Sequence, residues 1–342
     1  MNKTLIALAV SAAAVATGAN AAEIYNNDGN SIEMGGRVEA RLAVKDGKAE
    51  DQSRVRLNFA GTSQINDNLY GLGFYEGEYK ATKDNDTARD SLEHRYMYAG
   101  LGGNFGEVTM GTVKGSLAAV TDFTDIMAYH GAKAAVKVES ADRPDRSIAY
   151  SGEFSGLELR ANYTFESSKE NNDKLVGDDN NGYALSTIYS IGDTGVRLTA
   201  AYAKQNGVNF KDSATNTNIN ADAGQYMLGA SYEIGDFYVA GLYNDTKYDE
   251  VNTSNSAKVK GYELAAAYTL GQAKFTSTYN RADVKVSNQS EKAADSIAVD
   301  ATYFFTNNFR SYVSYDFNLL KEDKVGKLAS EDQAVLGVRY DF

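Results

Sequence analysis

Along most of the chain, apolar and polar residues alternate with a period of two, the pattern of a strand that turns successive side chains to opposite faces. In the first such segment, Ile32, Met34, Val38, Ala40, Leu42 and Val44 share one face, and Glu33, Arg37, Glu39, Arg41 and Lys45 share the other. Val55, Leu57 and Phe59 then oppose Arg54, Arg56 and Asn58. Further on, Leu157, Leu159, Ala161, Tyr163 and Phe165 oppose Glu158, Arg160, Asn162, Thr164 and Glu166. Near the end, Ile297, Val299, Ala301, Tyr303 and Phe305 oppose Ser296, Asp300 and Thr302. A helix would scatter these charges around its whole circumference, so the pattern predicts strands.

The connections between these segments alternate in length. Short turns rich in Gly, Asn and Asp fall at 65–68, 103–106, 154–156, 191–194, 234–236, 270–272 and 306–308, as tight hairpins require. Longer polar stretches lie at 46–52, 80–92, 112–142, 168–182, 204–224, 245–259, 282–294 and 320–331. Seven short and eight long connections join about 16 antiparallel strands, an even number that closes into a barrel with an aqueous channel. No composition shift marks a domain boundary.

The apolar face repeatedly ends in Tyr or Phe, as at Tyr163/Phe165, Tyr202, Tyr232, Tyr268 and Tyr303/Phe305. A barrel facing lipid needs such aromatic girdles, because amphipathic rings sit well at headgroup level. A mean hydropathy of −0.43 is no objection, since only alternate residues meet lipid. The chain closes on Ala334, Leu336, Val338, Tyr340 and Phe342, alternate apolar residues on one strand face. The start of the chain is different. Lys3 precedes an apolar stretch from Leu5 to Ala16, and Ala19-Asn20-Ala21 fits the small-x-small cleavage rule. Residues 1–21 therefore read as a cleaved signal peptide, and 22–342 as one barrel domain.

Charge and composition narrow the chemistry. The chain carries 34 Lys+Arg against 46 Asp+Glu, a net charge of −12, which lacks the basic footprint of a nucleic-acid binder. There is no Cys and there are two His, His94 and His130, so neither a thiolate site nor a multi-histidine metal centre is expected. No cofactor is implied. Neither His stands in a recognisable nucleophile context, which argues against an enzyme built on a barrel. Gly100 to Gly106 looks glycine-rich but opens a hairpin, not a helix, so it is not a nucleotide loop. Asp84/Asp86/Asp90 and Asp178/Asp179 lack calcium-loop spacing and read as solvated loop charge.

Several segments carry a resemblance. Ala22-Glu23-Ile24-Tyr25-Asn26, Asp28-Gly29-Asn30 and Gly36-Arg37 resemble the mature start of the general porins of Gram-negative bacteria. Arg54 to Phe59, Tyr75 to Glu78, Asp122 to Met127 and Phe309 to Tyr312 are similar to the OmpU porins of vibrios in particular, as is the close from Ala329 to Phe342. This resemblance runs over nearly the whole mature chain. It implies a homotrimer of 16-stranded barrels in the bacterial outer membrane, with long loops outside and short turns in the periplasm, admitting ions and small hydrophilic solutes. It also implies that Tyr340 and Phe342 belong to a C-terminal signature read by the barrel assembly machinery. Lipopolysaccharide and outer-membrane lipid are the expected surroundings.

Porins of this family fold their third long loop into the barrel as a constriction, and residues 112–142 occupy that place. The stretch is far longer than an ordinary connection, and its Leu117, Val120, Phe123, Ile126 and Met127 argue that it is packed. The resemblance brings Asp122 and Asp125 into the lumen. It assigns the facing basic ladder to Arg37, Arg56, Arg95 and Arg143, and the alternation independently sets Arg37 and Arg56 on the polar face. Arg41, Arg54 and Arg160 share that face as additional lumen charge. A second acidic residue that many family members carry after Asp125 is missing. Ala128, Tyr129 and His130 stand there, leaving Asp122 or Glu139 to compensate. His130 reads as a packed histidine. The acidic balance favours an open, weakly cation-preferring channel for passive diffusion. A substrate-specific channel is the alternative, as is an adhesion or receptor role for the long loops.

Overall fold

In the computed structural model, the alternating segments pair with their sequence neighbours in antiparallel register. The structure describes residues 21–81, 92–171, 174–177, 179–211, 218–286 and 289–342. The segment before Ala21, and Asp84, Asp86, Asp90 and Asp178, lie outside them. The chain enters as β1 (Ala22–Asn27) and turns through Asp28-Gly29 into β2 (Asn30–Lys45). A short strand β3 (Lys48–Asp51) precedes β4 (Arg54–Asn66), β5 (Leu69–Lys80), β6 (Glu93–Gly103) and β7 (Gly106–Thr112). Residues 113–146 then hold helix α1 (Ala118–Thr121) before β8 (Ser147–Phe154) and β9 (Leu157–Thr164). A hairpin of β10 (Ser168–Asn171) and β11 (Lys174–Gly177) leads to β12 (Gly182–Ser190), β13 (Val196–Lys211) and β14 (Asn218–Ile234). The rest runs through β15 (Phe237–Glu250), β16 (Ser256–Leu270), β17 (Ala273–Val286), β18 (Gln289–Phe304), β19 (Phe309–Asn318) and β20 (Gln333–Asp341).

Sixteen of these strands, β2, β4 to β9 and β12 to β20, form a closed antiparallel wall, sealed where β2 pairs with β20 from Arg37↔Asp341 to Lys45↔Gln333. β1 and β3 pair alongside β2. All seven short turns fall where the sequence sets them. Three of the long stretches are shorter than their polarity suggests: β13 to β18 continue through 204–211, 245–250 and 282–286. Past the membrane both strand faces are polar, so the alternation fades while the hydrogen-bond ladder persists.

The two faces of the wall differ as the alternation demands. Outward rows expose large apolar side chains such as Leu228, Leu264 and Leu336. At the short-turn end they gather rings: Phe237 stacks on Tyr268 at 4.4 Å, and Tyr303, Phe305 and Phe309 adjoin. Tyr340 is exposed on this outer face, 6.1 Å from the ring of Phe342, and the Phe342 backbone pairs with Gly36. Inward rows of β12 to β16 carry small residues, among them Ala184, Ala203, Ala223, Ala265 and Gly261, all buried. That buried row faces no lipid and no bulk water. It is covered from inside by residues 113–146.

Candidate pore constriction

One stretch of wall gathers the strongest charges. Period-two geometry turns Arg37, Glu39 and Arg41 of β2, Arg54 and Arg56 of β4, and Glu76 and Glu78 of β5 to the inner face. The register sets Arg37 opposite Arg56, Glu39 opposite Arg54, and Arg56 opposite Glu78. Arg54 donates to Glu39 at 2.7 Å and Arg56 to Glu78 at 2.6 Å. A register shift at Glu76/Gly77 inserts one extra residue in β6, and Arg95 uses it to reach Glu76 at 2.7 Å. The three glutamates are buried, and Tyr312 also donates to Glu39. Such charge-assisted pairs fix the guanidinium planes. The expected ladder of arginines is therefore a braced Arg/Glu lattice. Arg37 faces another arginine, and its Nε is buried without a hydrogen-bond partner among the described residues.

The 113–146 connection is fastened to the opposite part of the wall by hydrogen bonds to inward side chains. Ser116 N donates to Asn162 on β9 at 2.9 Å, and Asn162 returns a bond to Ser140 O at 2.7 Å. Gln205 on β13 accepts from Ser140 N at 2.9 Å. Gln225 on β14 takes Val138 N at 3.0 Å and gives a bond to Val136 O at 2.7 Å. Glu263 on β16 accepts from Ala134 N at 2.8 Å, Ala135 N at 2.9 Å and the Thr124 hydroxyl. Asn280, Asp300 and Asp316 on β17 to β19 hold Lys133 N, Ala128 N and the Lys133 ammonium. Leu117 and Val120 fill the space left by Ala184, Ala201, Ala203 and Ala223, against Met227 and Leu242. Phe123 packs on Ile188 and Ala240, under the guanidinium of Arg197 at 5.1 Å. Gly261 lets the loop backbone close in: a Cβ there would stand 2.0 Å from Ala134 O.

The loop's own charges are mixed. Asp122 pairs with Lys114 at 2.9 Å. Lys137 bonds Thr121 Oγ1 at 3.1 Å and Asp142 at 3.3 Å. Asp125 is exposed to solvent, yet protein surrounds it within the barrel. That enclosure and the nearby Asp122 push its carboxyl above the usual aspartate value, against the pull of Lys137 and Arg54. Contact with water limits this push. His130 is buried, with Nδ1 at 2.7 Å from Ser314 Oγ and Nε2 at 3.1 Å from Gln333. Burial holds its pKa below the ordinary 6.5.

The structure thus brings Arg37, Arg54, Arg56 and Arg95 into one cluster. Arg41 lies beside them, 5.1 Å over the Tyr129 ring. Arg143 belongs to the loop and stands 3.8 Å from Asp142, within electrostatic reach of Glu93. Arg160 pairs with Glu158 on β9, apart from the cluster. Glu139 is exposed at a single 3-10 turn, Glu139–Ala141. Sequence reasoning missed the bracing by Glu76 and Glu78, the loop cations Lys114 and Lys137, and the loop anchors Glu263, Gln225 and Asn162. Their inward parity is legible, but their loop partners are not. It also missed three inward rings, Phe74 stacked on Tyr98 at 5.3 Å with Tyr96 at 6.3 Å.

Comparison with known proteins extends these observations. A family model described as Gram-negative porin matches residues 7–323. Outer membrane protein U of Vibrio parahaemolyticus is 50% identical over 360 residues, with both chains covered in full. The protein of the same description in Vibrio cholerae serotype O1 is 49% identical, again over both whole chains. Among solved structures, a Salmonella typhi OmpF complex with daunomycin superposes with a TM-score of 0.77 at 25% identity, covering 94% of this chain and 100% of that one. The trimer form of OmpT from Vibrio cholerae superposes with a TM-score of 0.73 at 17% identity, covering 92% and 100%.

Proposed function

The chain belongs to the Gram-negative porin family and is an outer-membrane porin, and we propose that it is a weakly cation-preferring general diffusion channel whose constriction lies between the 113–146 connection and the arginine wall. The observation that carries this reading is the division of the inner face. Most anchors of the connection lie on β9 and β12 to β20, with Tyr129 reaching Gln52 and Arg41, while the Arg/Glu lattice lies on β2, β4, β5 and β6. Water and ions pass between the two. Asp122 and Asp125 form the acidic margin, and Arg37, Arg56, Arg95 and Arg143 the basic one, with Arg41, Arg54, Arg160 and Glu139 along the approach.

Opposed charges across a narrow waterway orient the water between them, and rings of charged side chains set ion preference. A polar solute exchanges its hydration for this ordered water, while an apolar one disrupts it. Glu39, Glu76 and Glu78 offset much of the arginine charge, which leaves room for the acidic loop to favour cations. Cleavage after Ala21 and a homotrimer complete the reading, the latter supported by the trimer form of OmpT among the neighbours. Lipopolysaccharide surrounds the wall, and the barrel assembly machinery reads Tyr340 and Phe342.

Planar-bilayer conductance with a reversal potential across a KCl gradient tests the proposal. Steps in groups of three with cation preference are expected, and Asp122→Asn with Asp125→Asn weakens that preference. Anion preference in the unaltered protein would remove the selectivity claim. A substrate-selective channel is the second reading, favoured by the inward rings Phe74, Tyr96 and Tyr98. It predicts small steps that a saturating solute blocks.

A further inference from the structure

The inner wall of β5 to β9 carries rings where an aqueous passage for ions gives no use for them. Phe74 of β5 stands opposite Tyr98 of β6, and Tyr96 takes the next inward position, opposite Glu76. All three rings are half-buried, and none of the hydrogen-bonded anchors of the 113–146 connection lies on β5 to β7. Apolar faces are thus left toward water directly beside the arginine lattice, on its short-turn side. The register shapes a recess next to them. One row crosses the strands through Leu72, Gly100, Thr109 and Ala149, and the next through Tyr70, Gly102, Glu107, Ser151 and Arg160. Gly102 makes room for the Tyr70 ring to cross β6, since a Cβ there would stand 2.2 Å from that ring. The Tyr70 hydroxyl donates to Glu107 at 2.8 Å. Small residues therefore form the floor, with stacked rings on one side and Arg160 and Glu107 on the other. Arg160 is within electrostatic reach of both Tyr98 and Glu107.

We propose that this recess is a stacking subsite for a neutral pyranoside in transit, its carbon–hydrogen face on Phe74 and Tyr98 and its hydroxyls on Glu107 and Arg160. Small-molecule sites combine aromatic walls with a few placed polar groups, and the charges here choose the class. Arg95 lies 5.8 Å over the Tyr96 ring and Arg160 stands near Tyr98, so an organic cation meets cations already in place. Glu107 and Glu76 repel an anion. Arg160 is paired with Glu158 and Arg95 with Glu76, so neither guanidinium offers a charged solute an unopposed partner. Hydroxyls both donate and accept, so those of a sugar use guanidinium donors and carboxylate oxygens together. This rests on the channel reading and deepens it: the recess lies inside the open passage, and filling it delays a sugar without closing the pore to ions.

Current noise of single channels in planar bilayers, at matched bulk conductivity, tests it with methyl α-glucopyranoside, the open-chain polyol mannitol and tetramethylammonium as probes. The glucoside is expected to add noise that saturates with concentration. Mannitol, with similar hydroxyls but no ring face, is expected to add none. The combined variant Phe74→Ala, Tyr98→Ala is expected to weaken glucoside binding by at least roughly tenfold, through the loss of two stacking contacts. Ala149→Leu fills the recess without altering a ring or a charge, and is expected to weaken binding as well. Glucoside noise no greater than that of mannitol would overturn the proposal. So would glucoside binding within about twofold of the parent in either variant. Tetramethylammonium noise that disappears in the Phe74→Ala, Tyr98→Ala variant would also overturn it, by assigning the rings to an organic cation. Steps in KCl keep the two readings separate: a channel that conducts without glucoside noise sinks this proposal alone, and a folded protein without steps sinks the channel reading.

Discussion

Gly261→Ala is the sharpest probe of how the 113–146 connection is held. The added Cβ would stand 2.0 Å from Ala134 O and 2.7 Å from Ala134 C, where ordinary contact begins at 3.4 Å. The obstructing atoms are backbone, and the β16 ladder pins the other side, so the loop must retreat toward the lumen by about 1.4 Å. The bonds from Ala134 N and Ala135 N to Glu263, now 2.8 and 2.9 Å, then stretch beyond the ~3.2 Å at which such bonds are useful. A hydrogen bond to a charged acceptor contributes about 1.5–3 kcal/mol, so losing two costs at least ~3 kcal/mol of anchoring. That raises the population of the detached loop roughly 100-fold. The barrel itself is untouched, because its ladder does not involve this contact. Single-channel recording should therefore show lower conductance or new flicker between levels, at an unchanged melting temperature. Glu263→Ala on the same background should add only the loss of the Thr124 hydroxyl bond, since both backbone bonds are already gone. A folded Gly261→Ala protein with parental step size and noise would refute the tethering argument.

Three further outcomes follow from the charges. Glu76→Gln frees Arg95 and Arg56 from a shared carboxylate, and the amide nitrogen has the unpartnered Oε2 side to occupy; the reversal potential in a KCl gradient should move toward anions, and an unmoved potential would contradict the lattice. The Asp125 carboxyl is pushed above the ordinary 3.8, so it neutralises early as acid is added; cation preference should fall with a midpoint above 3.8 and lose that step in Asp125→Asn. His130 is held below 6.5 by burial, with Asp316 raising and Lys133 lowering its affinity for a proton. Its contribution to loop docking is full above 6.5 and declines as pH falls below it, so noise should grow under acid in the parent and not in His130→Gln.

Much of this was legible in the sequence because a membrane barrel writes its two faces into alternate residues. The seven tight turns and the inward parity of Arg37 and Arg56 needed nothing more. Asp46-Gly47 was legible too: both residues adopt positive φ, 49° and 69°, and an Asp-Gly pair is the strongest short hairpin signal. The polar stretch 46–52 hid it. Extension of β13 to β18 was not legible, because strands with two wet faces lose the period that reveals them. The loop anchors were beyond reach for another reason. Thr124 and Glu263 are 139 residues apart, and nothing local to Glu263 separates an anchor from a charge facing water.

The division of the inner wall accounts for both properties together. Small inward residues on β12 to β16 are useless for lining a polar pore, but they give the connection a bed; Gly261 lets its backbone approach the wall at Ala134, and Gly182 leaves room for the Ser140 side chain. Anchoring mainly on that side leaves most of β2, β4, β5 and β6 open toward the waterway, apart from Tyr129 against Arg41 and Gln52, so the charges there are the ones a solute meets. Their density rests on bracing of the central arginines: Arg54, Arg56 and Arg95 are held by Glu39, Glu78 and Glu76 on neighbouring strands. A flexible lysine in their places would fold back toward water or the opposite carboxylates, whereas a paired guanidinium keeps its plane. Rigidity on one side and tethering on the other fix the width of the passage, and the balance of their charges fixes what crosses it.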